Sequence, residues 1–185
     1  MRSRFCPGVE SLEIRLPLST STQHVVDFNQ SAYPGERQGI SDGSQGEYPY
    51  LGQNYQVLAP SSGTYNCISY SLGLFNVWIS QQMGPKGAPL AWMDNLYAQH
   101  GFHRLAPLAN GKLDVSLESG VRKVILYGMT GRHGVVTNIL HAEVQDKSGT
   151  YSSKLGDGPL IRYSTFYAMS GPSDGWPIAV YARPI

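Results

Sequence analysis

Thr64-Tyr65-Asn66-Cys67-Ile68-Ser69-Tyr70-Ser71-Leu72-Gly73 sets a cysteine where a polar loop passes into a helix. Ile68, Leu72, Phe75 and Ile79 then recur at helical spacing, which predicts a helix running on toward Gly84-Pro85. Asn66 or Thr64 is suited to cap it. Gly73 inside that helix would cost about 1 kcal/mol relative to alanine, which implies close packing there. A helix start gathers unpaired N–H groups and a partial positive charge. Both favour a thiolate over a thiol and can hold the oxygen of a tetrahedral intermediate.

Cysteine is among the most buried residue types, so the default role of a lone Cys67 is core packing. Three features weigh against that default. The position opens the helix, a polar Asn66 precedes it, and the apolar stripe begins one residue later at Ile68. Of the histidines at 24, 100, 103, 133 and 141, His141 alone lies in an apolar strand-like run, residues 135–144. A strand can hold an imidazole rigidly, as a general base requires, although a strand histidine is also a common structural residue.

Such a pair calls for a third group to orient the imidazole. Asp146-Lys147-Ser148-Gly149 reads as a hairpin turn that returns the chain as Thr150-Tyr151-Ser152-Ser153-Lys154-Leu155. With Lys147 and Ser148 as its central residues, His141 faces Lys154, and Ser153 or Asp157 is the third catalytic candidate; a backbone carbonyl is the alternative. The backbone N–H of Cys67 is the first oxyanion donor, and Tyr55, Gln53, Asn54 and Asn66 are the side-chain candidates. Ordinary loop hydrogen bonding and helix capping compete for those four.

Around these residues the chain divides into an irregular arm, 1–49, and a domain, 50–185. The arm reads as packed on the domain, as a partner-binding segment or as a leader. A second helix is expected over residues 89–100, stopped by Gly101, followed by strands at 121–127, 135–144, 150–155 and 177–182. Helices followed by an antiparallel meander predict an α+β fold.

The 185 residues carry a net charge of +1, which provides no electrostatic footprint for nucleic acid. No apolar run is long enough to span a membrane, and no apolar segment follows the basic N-terminus, so no classical signal peptide is expected. The expectation is a cytoplasmic protein or one exported by a leaderless route. Two cysteines, Cys6 and Cys67, make no disulfide framework. With no CxxC or HxxxH spacing, neither a metal nor a cofactor is expected, and His100 and His103 read as a solvated helix end.

In this order, Tyr65-Asn66-Cys67-Ile68, Val121 to Gly128, His141-Ala142 and Ser152-Ser153-Lys154-Leu155-Gly156 resemble an uncharacterised bacterial family. Its blocks are YNCIAWALG-, KVALY-, HAARQ- and WTSKLG-like, and it looks like a divergent papain-like, cell-wall-hydrolase-like group of cysteine peptidases. The resemblance covers roughly residues 50–183. It departs at Asn76-Val77-Trp78-Ile79, where that family is often tryptophan-rich, and at Tyr151, which replaces a tryptophan. It implies a papain-like core with an N-terminal catalytic helix packed on an antiparallel sheet, Cys67 as nucleophile and His141 as base.

The function these readings predict is a cysteine hydrolase cleaving an amide in a peptide, protein or peptidoglycan substrate, as a peptidase, amidase or deamidase. Export without a leader would suit a delivered toxin or effector, with an immunity or inhibitor protein as partner. An acyltransferase or transglutaminase-like enzyme would use the same dyad. A non-catalytic binding module would instead present Tyr48, Tyr50, Tyr55, Trp78, Trp92 and Trp176 as a recognition surface.

Overall fold

A computed structural model describes residues 33–37, 40, 48–52, 54–80 and 89–185. Seven strands form one antiparallel sheet: β1 (Tyr55–Ala59), β2 (His103–Arg104), β3 (Val121–Thr130), β4 (Val136–Gln145), β5 (Tyr151–Lys154), β6 (Leu160–Tyr163) and β7 (Trp176–Pro184). Their order across the sheet is β1-β6-β5-β4-β3-β7-β2. Among the described residues, the helices α1 (Cys67–Leu72) and α2 (Pro89–Gln99) pack against the sheet.

This architecture corrects the α+β expectation. The described residues form a β-rich fold with short helices, not a papain-like core built on a catalytic helix. The helix expected to run toward Gly84 ends at Leu72. Gly73 takes φ 82°, its N–H bonds the Tyr70 carbonyl, and the Leu74 N–H reaches back to Ser69 O at 2.9 Å, closing the helix in a Schellman motif. The stripe was misleading beyond that point, for Phe75 is exposed. Ile79 packs on the core from a loop. Short strands at β1, β2 and β6, too brief to show periodicity, complete the sheet.

Both faces of the sheet are covered, which is why Val124, Ile125, Leu126 and Tyr127 are buried in succession. On one face Val124, Leu126, Ala142, Val144 and Tyr181 pack with Ile68, Leu72, Met93 and Tyr97 of the helices. On the other, Ile125, Tyr127, Ile161, Tyr163 and Val180 pack with Ile40 and Leu51. The arm residues Glu36 and Arg37 dock here as well. Glu36 accepts from Ser61 N and Oγ at 3.0 and 2.6 Å, and Arg37 lies over the Tyr55 ring.

The β4–β5 register also differs from expectation. Val144 faces Ser152 and Gln145 faces Tyr151, one residue away from a two-residue turn. Asp146 N donates to Thr150 O at 2.7 Å and Gly149 N to Asp146 O at 2.9 Å, making a longer turn with Gly149 at φ 80°. His141 therefore does not face Lys154. The shift of one residue reverses which side chains share a face.

Candidate active site

Asn66 opens α1 from extended backbone. Its Oδ1 accepts from Ser69 N at 3.1 Å and Ser69 Oγ at 3.0 Å, while its Nδ2 donates to Ile79 O at 2.7 Å. The amide oxygen serves as the cap and one of the two Nδ2 hydrogens as a tie to the following loop. The cap sets Cys67 at the first helical position, where its own N–H precedes the intrahelical bonds. Cys67 is a free thiol and is buried.

His141 lies on β4 opposite Tyr127 of β3, while Ile139 lies opposite Gly128, so Leu140 is an extra residue in a bulge. Bulges re-aim neighbouring side chains and end regular pairing. Among the described residues, the β4–β5 ladder pairs Val144 with Ser152 and Gln145 with Tyr151, beyond the His141 segment, which pairs with β3. A cavity of about 420 Å³ lies there. Cys67 and Asn66 line it from α1, Leu140 and His141 from β4, Asp157 from the β5–β6 turn, and Asp174 from the loop before β7. Tyr48, Trp78 and Ser80 contribute further walls.

Asp174 is the carboxylate beside the imidazole, with Oδ2 3.9 Å from His141 Nδ1. That separation is a charge contact longer than a hydrogen bond. The other ring nitrogen, Nε2, is buried without a hydrogen-bond partner among the described residues. Burial by itself pulls the imidazole pKa down. The Asp174 charge, with the charge and hydrogen-bonding proximity of Cys67, outweighs it and lifts His141 to about 9. At neutral pH the site therefore holds an imidazolium beside the Cys67 sulfur.

Asp174 is positioned by the glycines around it. Gly171 and Gly175 exchange backbone hydrogen bonds of 2.9 and 2.8 Å, closing the loop into a tight ring. Gly175, at φ 77°, rests on Gly128 of β3, beside the strand that carries His141. The sequence reading missed Asp174, because Ser173-Asp174-Gly175 reads as an ordinary turn. The pattern contains no signal of what the turn reaches.

Ser153 is fully buried on β5 beside Tyr163 and does not line the cavity. Tyr55 is buried on β1, where its hydroxyl donates to Arg37 O at 2.9 Å, so it is no oxyanion donor. Gln53 lies outside the described residues. Asp157 lines the cavity, but Asp174 occupies the position beside the imidazole.

Behind the pair, Glu143 follows His141 by two residues on the same strand and is fully buried. It accepts from Tyr163 Oη at 2.7 Å, and burial pushes its carboxyl up to about 8. The Tyr127 ring meets the imidazole edge-on, with centroids 5.8 Å apart. Lys154 Nζ, also buried, donates to Ser62 O, Gly156 O and Gly158 O at 2.7, 2.7 and 2.5 Å. It thereby ties the approach to Cys67 to the turn that carries Asp157.

Among protein families, the model described as "Domain of unknown function (DUF7689)" matches residues 56–182. The chain belongs to this family. DUF7689 membership thus covers the cysteine, the histidine, both cavity aspartates and five of the seven strands in full. No curated protein and no solved structure matches the chain. Among the described residues, no helix is long and apolar enough to cross a membrane, and no group of three or more His, Cys, Asp or Glu side chains could hold a metal ion.

Proposed function

We propose that this protein is a cysteine hydrolase that cleaves an amide bond in the cavity bounded by Cys67 and His141. The observation that carries the reading is the convergence of three residues distant in sequence. Cys67, His141 and Asp174 line one cavity, and the imidazole sits between a sulfur and a carboxylate.

In this mechanism Cys67 gives its thiol proton to His141, the resulting thiolate attacks the amide carbonyl carbon, and the carbonyl electron pair moves to oxygen. The Cys67 backbone N–H, at the first position of α1, is the oxyanion donor this reading uses. Collapse of the intermediate breaks the C–N bond, and His141 hands its proton to the leaving amine. Water then attacks the thioester and gives a proton to His141, releasing the carboxylic acid and the sulfur. Asp174 is a positioning residue that orients the ring and keeps it protonated.

The test is alkylation by iodoacetamide at neutral pH. Wild type should react faster than a free small-molecule thiol, and Cys67→Ala should lose the adduct. Labelling at or below the free-thiol rate would sink the reading.

A further inference from the structure

The walls of the cavity carry a second chemical signal, separate from the reacting groups. Asp157 is exposed on the β5–β6 turn and lines the cavity with Trp78 and Tyr48. Lys154 acts on Asp157 through its charge and gives it no hydrogen bond. An ammonium has three N–H donors, and the carbonyls of Ser62, Gly156 and Gly158 take all three. Among the described residues, His141 is the one basic side chain that lines this cavity. The cavity therefore has in one lining a carboxylate with no direct cationic contact among the described residues and two aromatic side chains, the two kinds of group that together attract an organic cation in preference to a neutral or anionic one.

Building on the hydrolase reading, we propose that Asp157, Trp78 and Tyr48 form a subsite for a protonated amine, so that the enzyme selects amides carrying an ammonium group near the scissile bond. A peptide with a free amino terminus or an amine-bearing side chain at that position is the substrate class this describes. Asp157 is then a specificity residue and takes no part in the proton transfers. The ammonium binds without a covalent step, with the carboxylate as counter-ion and the Trp78 face excluding water from one side. Trp78 is 42% exposed, so it holds this position with its ring available to a ligand.

The experiment compares two chloroacetamides as alkylating probes of Cys67 in the full chain. One carries a 4-aminobutyl group and the other its neutral N-acetylated form. Each rate is normalised to that of a neutral cysteine amide in solution. Wild type should favour the cationic probe by about tenfold, the combined scale of one exposed ion pair and one cation–π contact. Asp157→Asn should reduce that preference to about twofold or less, read as the ratio of the two probe rates in the same variant. Trp78→Ala should reduce it in part.

A tenfold preference that survives Asp157→Asn overturns the subsite. So does a wild type that labels rapidly with both probes and prefers neither; in that case the hydrolase reading stands. If Cys67 reacts with both probes no faster than the free thiol, the hydrolase reading and the subsite fall together.

Discussion

Gly175 lies so close to Gly128 that a Cβ added to it would meet the Gly128 carbonyl oxygen at 2.3 Å. This contact sets the start of β7 against β3 and brings the preceding residue, Asp174, to His141. Gly175→Ala would collide with backbone and force an L side chain into the left-handed region, each costing about 1–3 kcal/mol. The expected result is a clear fall in the denaturation midpoint and loss of fast Cys67 alkylation. A variant with wild-type stability and reactivity would show that the contact does not position the site.

Asp174→Asn removes the charge that most strongly raises the His141 pKa. Since only the protonated imidazole can donate to a leaving amine, activity should fall on the alkaline side as pH passes about 9. In Asp174→Asn that alkaline limb should move to lower pH, with a drop in rate of about tenfold or more. A pH–rate profile checks this, and an unmoved limb would exclude Asp174 from tuning the ring.

Thermal stability should decline from mildly acidic to alkaline pH. His141 is raised from 6.5 to about 9, so its contribution is complete below 6.5 and lost as pH rises through 9. Glu143 is raised from 4.5 to about 8 by burial, so its contribution is present below 4.5 and lost by pH 8. Glu143→Gln keeps an acceptor for the Tyr163 hydroxyl and cannot ionise. Its melting temperature should therefore vary less between pH 5 and 8 than that of the wild type, as read by a pH series of thermal melts.

Lys154→Met should destabilise the chain by about 3 kcal/mol or more, because three carbonyls lose their donor in a buried setting. The same change frees the Ser62 loop from the Gly156–Gly158 turn. Cys67 alkylation should slow even in molecules that remain folded, which native mass analysis after brief labelling can read.

Local features were legible where the physics is local. Asn66 before Cys67 predicts a capped helix start, and the cap is formed by the side chain of Asn66. The apolar runs around Val121, His141 and Ile178 lie in β3, β4 and β7, because long strands in a two-sided core are apolar over many residues. The length of α1 was not legible. Gly73 ends it through backbone hydrogen bonds, while the periodic stripe continues through an exposed Phe75. The short strands β1, β2 and β6 were invisible for want of periodicity, and with them the β-rich character of the fold.

By itself, the sequence singled out Cys67 and His141 as side chains of reactive chemistry and determined the capped helix start and the strand that carry them. Tertiary structure alone decided what stands beside them. The Leu140 bulge and the short β4–β5 ladder open the cavity. Gly175 on Gly128 brings Asp174 to the imidazole across β3. Ser153, one of the two residues that spacing offered as the third member beside Asp157, is buried near Tyr163 and away from the cavity. The reason is one of range: capping and strand propensity act over a few residues, whereas a charge contact between residues 141 and 174 exists only once the sheet has brought their strands together.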